Sequence, residues 1–140
     1  MQLQEKLSPH FRLGEFFVTN QAGGTAGLVK DFEALTFEQK GVLRGNLKRL
    51  AEALERVRTQ LDGRQIIITS GWRSRRVNDL VGGANASFHL SGMAADITVK
   101  GLSPKEVQNI LEKTWPGGLG YGHTFTHLDI RKSKARFKNG

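Results

Sequence analysis

Two histidines and an aspartate carry the reactive chemistry of this 140-residue chain. His89 and Asp96 lie seven residues apart in Ser87-Phe88-His89-Leu90-Ser91-Gly92-Met93-Ala94-Ala95-Asp96, and His127 follows in His127-Leu128-Asp129. Mixed imidazole and carboxylate ligands suit zinc. Three protein ligands leave the fourth tetrahedral position for water, which is the catalytic and not the structural arrangement. Gly92 lets the chain reverse so that His89 and Asp96 can converge, and Ala94 and Ala95 leave room beside a metal. Alternate residues of a strand share a face. Phe125, His127 and Asp129 therefore point one way, and Thr126, Leu128 and Ile130 the other. The second set is apolar enough for core, so the His127 face is left for a cleft. These residues predict metal-assisted hydrolysis.

The elements that must position them can be read from spacing. Thr36 and Gln39 form a capping box ahead of Leu43, Leu47, Leu50, Leu54, Val57 and Leu61, which recur at intervals of three and four. This predicts a long amphipathic helix ended by Gly63 in the left-handed conformation. The β-branched run Arg64 to Thr69 predicts a central strand, broken at Ser70-Gly71-Trp72-Arg73-Ser74. A short helix is expected over Arg75 to Val81, a loop at Gly82 to Asn85, and a second strand over Met93 to Val99. Ser103, Pro104 and Glu106 open another helix, and Phe125 to Arg131 forms the last strand. Residues 1–35 read as irregular, with a flexible Ala22-Gly23-Gly24-Thr25-Ala26-Gly27, and residues 132–140 as a basic tail. The order helix, strand, strand, helix, strand predicts one small α+β domain over residues 1–140, an antiparallel sheet with helices packed on one side.

Composition narrows the surroundings. The net charge is +8, which favours polyanions such as nucleic acid, anionic lipid or bacterial envelope polymers. The stretch Arg131 to Gly140 holds five cations and no acid. It is either a frayed, solubilising tail or an electrostatic tether to an anionic surface. With no cysteine, disulfides and thiolate metal sites are excluded. No apolar run approaches the roughly 18 residues of a membrane span, and Met1 to Lys6 lacks the layout of a secretory signal. The expectation is a monomer made in the cytoplasm, reaching any wall or periplasmic target by another route.

Ser87-x-His89-x-x-Gly92-x-Ala94-x-Asp96 resembles, at every fixed position, the signature of zinc D-Ala-D-Ala carboxypeptidases and their relatives. Those relatives include vancomycin-resistance D,D-dipeptidases, phage L-alanyl-D-glutamate endolysins and the hedgehog signalling domain. Ser70-Gly71-Trp72-Arg73-Ser74 is similar to the family's upstream turn, and Phe125 to Arg131 to the strand that carries its last ligand. The opening Leu7-Ser8-Pro9-His10-Phe11 resembles the start of small phage and bacterial members. The resemblance implies one zinc per chain on His89, Asp96 and His127. It implies that Arg73 binds the substrate carbonyl or the oxyanion that develops there, and that Ser87 helps hold substrate. Many relatives place a general base three residues before the last ligand, or a histidine two before it. Here those positions are Thr124 and Phe125, and neither takes a proton near neutral pH. His123 is the nearest candidate base, or else an exposed loop histidine. Asp129 is either a base or, as we prefer, the carboxylate that orients the His127 ring.

The resemblance thus implies a zinc peptidase cutting amide bonds in peptidoglycan stem peptides, of the kind a phage or prophage releases through a holin. A D-Ala-D-Ala carboxypeptidase and a non-catalytic zinc-containing wall-binding module are the alternatives. A nucleic-acid-binding role rests on charge alone, because the basic stretch lacks interleaved aromatics and any reading motif.

Overall fold

The computed structural model describes residues 2–20 and 23–139. Ala22 of the expected flexible stretch and Gly140 of the expected basic tail lie outside them. The chain forms strands β1 (Lys6–Ser8) and β2 (Phe11–Arg12), a 3-10 turn at Leu13–Phe16, helices α1 (Gly24–Glu33) and α2 (Phe37–Gln60), β3 (Ile66–Ser70) and α3 (Arg75–Leu80). It continues through a 3-10 turn at Phe88–Ser91, β4 (Ala94–Val99), α4 (Pro104–Leu111), β5 (Gly118–Tyr121), β6 (Thr126–Asp129) and β7 (Ala135–Lys138). The architecture is α+β. The main sheet runs β3-β4-β6-β5-β7, antiparallel except for the β5–β7 pair, which is parallel. No helix among the described residues is long and apolar enough to cross a membrane.

The sheet has two chemically distinct faces. On one, Ala95, Ile97, Leu119 and Leu128 join the buried leucines of α2 and Val107 and Leu111 of α4 in a single core. On the other, cross-strand register lays Ser70, Asp96, His127, Gly120 and Phe137 in one row across all five strands. Since the side-chain period of a strand is two, the register that buries Ile97 and Leu128 also turns Asp96 and His127 together onto the opposite face. Helix α2 positions this from behind. Its capping box at Thr36 and Gln39 is present, and Leu43, Leu47, Leu50, Leu54 and Val57 are buried along it. Asp62 and Gly63 end it with φ of 60° and 74°.

Three expectations are corrected. The described residues of the expected irregular segment 1–35 carry β1, β2, a 3-10 turn and α1. Helix α1 is preceded at its cap position by Gly23, which has a left-handed φ of 88° and offers no side-chain cap, so no start signal marks it. Tertiary packing supplies the stability that propensity lacks: Leu28 and Phe32 are buried, and Phe32 meets Phe17 and Trp72 with ring centroids 5.6 and 6.2 Å apart. The expected basic tail, described to residue 139, is not free, because 135–138 form edge strand β7 on β5. Arg136 fastens it by donating to the carbonyls of Glu112, Trp115 and Gly117 at 2.7, 2.6 and 2.8 Å. Cationic side chains on an edge strand also discourage edge-to-edge pairing. Strand β5 falls outside the expected order as well, since its Gly-Leu-Gly-Tyr sequence has little strand propensity.

Candidate metal centre

The turn after β3 is the foundation of the site. Gly71 abuts the backbone of the 3-10 turn at Leu13–Phe16, and a Cβ there would stand 2.5 Å from the Phe16 carbonyl oxygen. The Trp72 amide donates to that oxygen at 2.9 Å, and its indole N–H donates to the Leu90 carbonyl at 3.1 Å. The Arg73 amide donates to the His89 carbonyl at 3.0 Å. The turn and the Phe88–Ser91 segment are thereby bolted together. Ser87 caps that segment, its hydroxyl accepting from the His89 amide at 3.2 Å. Gly92 closes it with a φ of 74°, packed so tightly on α2 that a Cβ would lie 2.5 Å from Leu43 Cδ1.

On this frame His89, Asp96 and His127 converge. All three are buried, and one ligand atom from each lies within 4.8 Å of the others. Asp96 Oδ1 stands 3.2 Å from His89 Nε2 and 3.0 Å from His127 Nδ1. The outer ring nitrogens are committed elsewhere. His89 Nδ1 lies 2.7 Å from the Gly71 carbonyl, which can only accept, so that nitrogen carries the proton and Nε2 presents a lone pair. His127 Nε2 lies 2.8 Å from Asp129 Oδ2, which leaves Nδ1 as the second lone pair.

Two imidazole lone pairs facing a carboxylate oxygen repel one another unless a cation sits among them. With protons on the inward ring nitrogens in place of a metal, burial still disfavours charge on either partner, but hydrogen bonds to the carboxylates and the opposite charges outweigh it. Asp96 is held well below the usual carboxylate range, and His127 is raised by Asp129 and Asp96. Zinc bonds of about 2.0–2.1 Å imply tetrahedral ligand–ligand edges of about 3.3–3.4 Å, close to the separations found. The donor set therefore fits a divalent zinc ion.

Outer contacts orient the ligands. Wholly buried Asp129 uses both oxygens. Its Oδ1 accepts from the amides of Gly118 and Arg131 and from Arg131 Nε, at 3.0, 3.2 and 2.8 Å. Its Oδ2 accepts from His127 Nε2 and from Arg131 Nη2, at 2.8 and 2.7 Å. Burial opposes its charge, yet Arg131 and His127 hold its acidity well below the ordinary range. Asp129 thus stands against the outer nitrogen of His127, where a carboxylate can orient the ring. Gly118 makes this possible, for a Cβ there would stand 2.3 Å from Oδ2.

Arg73 is mostly buried, with 16% of its side chain exposed. Its Nη2 lies 3.5 Å from Asp96 Oδ2, while Nε and Nη1 make long contacts to Ser70 and Asn78 at 3.3 and 3.4 Å. Burial lowers its pKa and Asp96 opposes the drop; a guanidinium stays charged regardless. The cleft above the cluster holds about 390 Å³, and Arg73, Ser87, His89, His127, Arg131 and Phe137 line it. A larger hollow of about 500 Å³ lies between α2 and the Ser70–Ser74 turn. It shares Arg73 but none of the three converging residues, so the candidate metal site opens onto the smaller cleft.

His123 is not brought to this cleft. It is exposed in the connection between β5 and β6 and is absent from the cleft lining. Buried Gln108 of α4 clamps that connection by donating to the carbonyls of Gly122 and Phe125 at 3.0 and 3.2 Å. Two cleft residues escaped the sequence reading. Arg131 continues the alternation of His127 and Asp129, which is the signal that marks it, but its place at the head of a basic run conceals it. Phe137 gave no local signal, because only the pairing of β7 with β5 brings its ring to 5.3 Å from that of His127.

A family model described as peptidase M15 matches residues 9–129, which include all three converging ligands and Arg73. No curated protein matches the chain significantly.

Proposed function

The chain belongs to the peptidase M15 family, and from that premise we propose that it is a zinc-dependent hydrolase of amide bonds in peptidoglycan stem peptides. The observation that carries the reading is the convergence of His89 Nε2, Asp96 Oδ1 and His127 Nδ1, each oriented by a fixed outer contact. Zinc, when bound, supplies a Lewis acid for the scissile carbonyl and lowers the pKa of water towards about 7.

The protein's own residues do the rest. His89 and His127 would hold the metal through the ring nitrogens Nε2 and Nδ1, which are directed inward. Asp96 contributes the negative charge that balances part of the metal's. Arg73 sets a buried cation beside the ligands, where negative charge develops on the substrate oxygen, and such preorganised charge is among the largest contributions to catalysis. Phe88 and Phe137 provide apolar walls that keep water from the reacting atoms. The lip at residues 82–86 is built of small side chains, and residues 84–86 are exposed. It leaves space for chain on either side of the cut bond, which favours an endopeptidase on polymeric wall over a carboxypeptidase. The +8 charge supports accumulation on anionic envelope polymers, an attraction that salt screens. These properties suit a wall-cutting enzyme of phage or prophage type, released through a holin.

Mass spectrometry of digested peptidoglycan tests the proposal and identifies the bond. Wild type should release new amino termini, and His89→Ala should release none. His123→Ala should stay within about twofold of wild type, as an exposed side chain outside the cleft should. Undiminished digestion by His89→Ala would end the metal reading.

A further inference from the structure

Helix α2 turns an unpartnered face to solvent. Phe37, its first residue, is 93% exposed, and Val42 is 65% exposed. At about 100° per residue around the helix axis, these two apolar side chains stand on either side of Gly41 and Gly45, which are exposed as well. A Cβ added at either glycine would meet nothing within 4 Å, so the chain's own packing requires neither. Glycine is a poor helix former. What the two provide is bare backbone that another chain can approach closely.

The charges on this face are arranged for pairing with themselves. Lys40 and Arg44 are engaged by Glu33 and Glu5. Glu38 and Lys48 are exposed and have no ion-pair partner among the described residues. A second copy of α2, laid antiparallel about a two-fold axis level with Leu43, brings Gly41 of each copy level with Gly45 of the other. The same register sets Glu38 level with Lys48 and Phe37 level with Arg49. Rotation about the helix agrees with level. Glu38 and Lys48 stand on opposite sides of the glycine pair, each about 40° from its middle, and Phe37 and Arg49 do so at about 60°. The two-fold axis exchanges the sides, so each residue meets its counterpart. A surface that fits itself under one rotation is what a symmetric contact requires.

We propose that this face of α2 joins two copies of the chain in a homodimer, in place of the expected monomer. Glu38 of each copy pairs with Lys48 of the other, and each Phe37 ring lies against the other copy's Arg49 guanidinium, a cation–π contact. The contact spans about 18 Å of helix, which makes it small and reversible. Helix α2 lies behind the sheet and the metal cleft opens in front, so both clefts stay free. On the reading of the chain as a wall hydrolase, one dimer then engages its polymer at two points; the dimer itself is tested without any hydrolysis.

Sedimentation equilibrium of the full chain between about 5 and 500 µM should show a monomer–dimer equilibrium with a Kd of about 10–100 µM, as a small interface gives. Glu38→Lys and Lys48→Glu should each weaken it about tenfold or more, because each substitution enters the dimer twice and sets like charges together. The double variant restores opposite charges and should return to within about threefold of wild type. Gly45→Gln has open space for its side chain in the monomer and improves helix propensity, so it should fold and yet weaken the dimer about tenfold or more. A chain that stays monomeric throughout would overturn the proposal and leave the face to a different partner. A dimer that Gly45→Gln and both charge reversals leave unchanged would place the contact elsewhere and overturn it too. Failure of the double variant to recover would overturn the antiparallel register.

Discussion

Asp129→Asn isolates the orienting carboxylate with the smallest change of shape. Every donor around Asp129 needs an acceptor. Three donors meet at Oδ1, from the Gly118 amide, the Arg131 amide and Arg131 Nε, while His127 Nε2 and Arg131 Nη2 meet at Oδ2. An asparagine has one acceptor oxygen. Placed where three donors converge, it turns its NH2 towards His127, whose Nε2 must then accept. The ring proton moves to Nδ1 and occupies the lone pair that faces the metal position. The opposite orientation points an NH2 at three donors. Either way zinc affinity suffers, and losing such an outer contact costs about 10–100-fold, or about 1.4–2.7 kcal/mol. Competition with a chromophoric chelator measures this directly, and peptidoglycan hydrolysis at subsaturating zinc should fall in parallel. Zinc affinity of Asp129→Asn within about twofold of wild type would refute the tautomer reasoning, whatever happened to activity.

Three further outcomes follow from contacts already described. Arg73→Ala should lower kcat about 10²–10³-fold while zinc remains bound, measured as amine release alongside metal content. Gly92→Ala should cost at least about 1–2 kcal/mol in denaturant unfolding from the left-handed backbone alone, with more from the Leu43 contact at 2.5 Å. Asp31 joins α1 to α3, accepting from Ser74 at 2.6 Å and from Arg76. Partial burial raises its pKa, but these partners bring it below the ordinary 3.8. A depressed carboxylate stabilises the fold above its unfolded pKa and loses that contribution as pH falls through the folded value. Asp31→Asn should therefore lower Tm at neutral pH, and its difference from wild type should shrink below pH 3.8; a difference that does not change with pH would refute the assignment.

What could be read from the sequence was what local spacing encodes. His89, Gly92 and Asp96 sit on one short segment, so turn geometry and strand alternation were enough to anticipate their convergence. Helix α2 carries its own cap, stripe and stop, and α4 begins with the expected Ser103-Pro104-Glu106 start. The missed elements owe their structure to distant partners. Helix α1 lacks a side-chain cap and forms because Leu28 and Phe32 find the core. Strand β7 exists through β5, and a run of cations concealed it. The choice between loop and cleft for His123 turned on Gln108 of α4, fifteen residues earlier, whose hydrogen bonds have no counterpart in local pattern. Phe137 became a wall because Gly120 stands between it and His127, where a Cβ would come within 2.8 Å of the Phe137 ring.

The close seating of Gly71 against Phe16 gives the protein an internal gauge. The Phe16 carbonyl receives the Trp72 amide, and the neighbouring Gly71 carbonyl receives the His89 ring. Loosening of the amino-terminal segment would reach the first metal ligand through a single peptide unit. Hydrogen exchange at the Trp72 amide should therefore slow when zinc loads, so that one backbone proton, spectroscopically silent as chemistry, reports how firmly the centre is held.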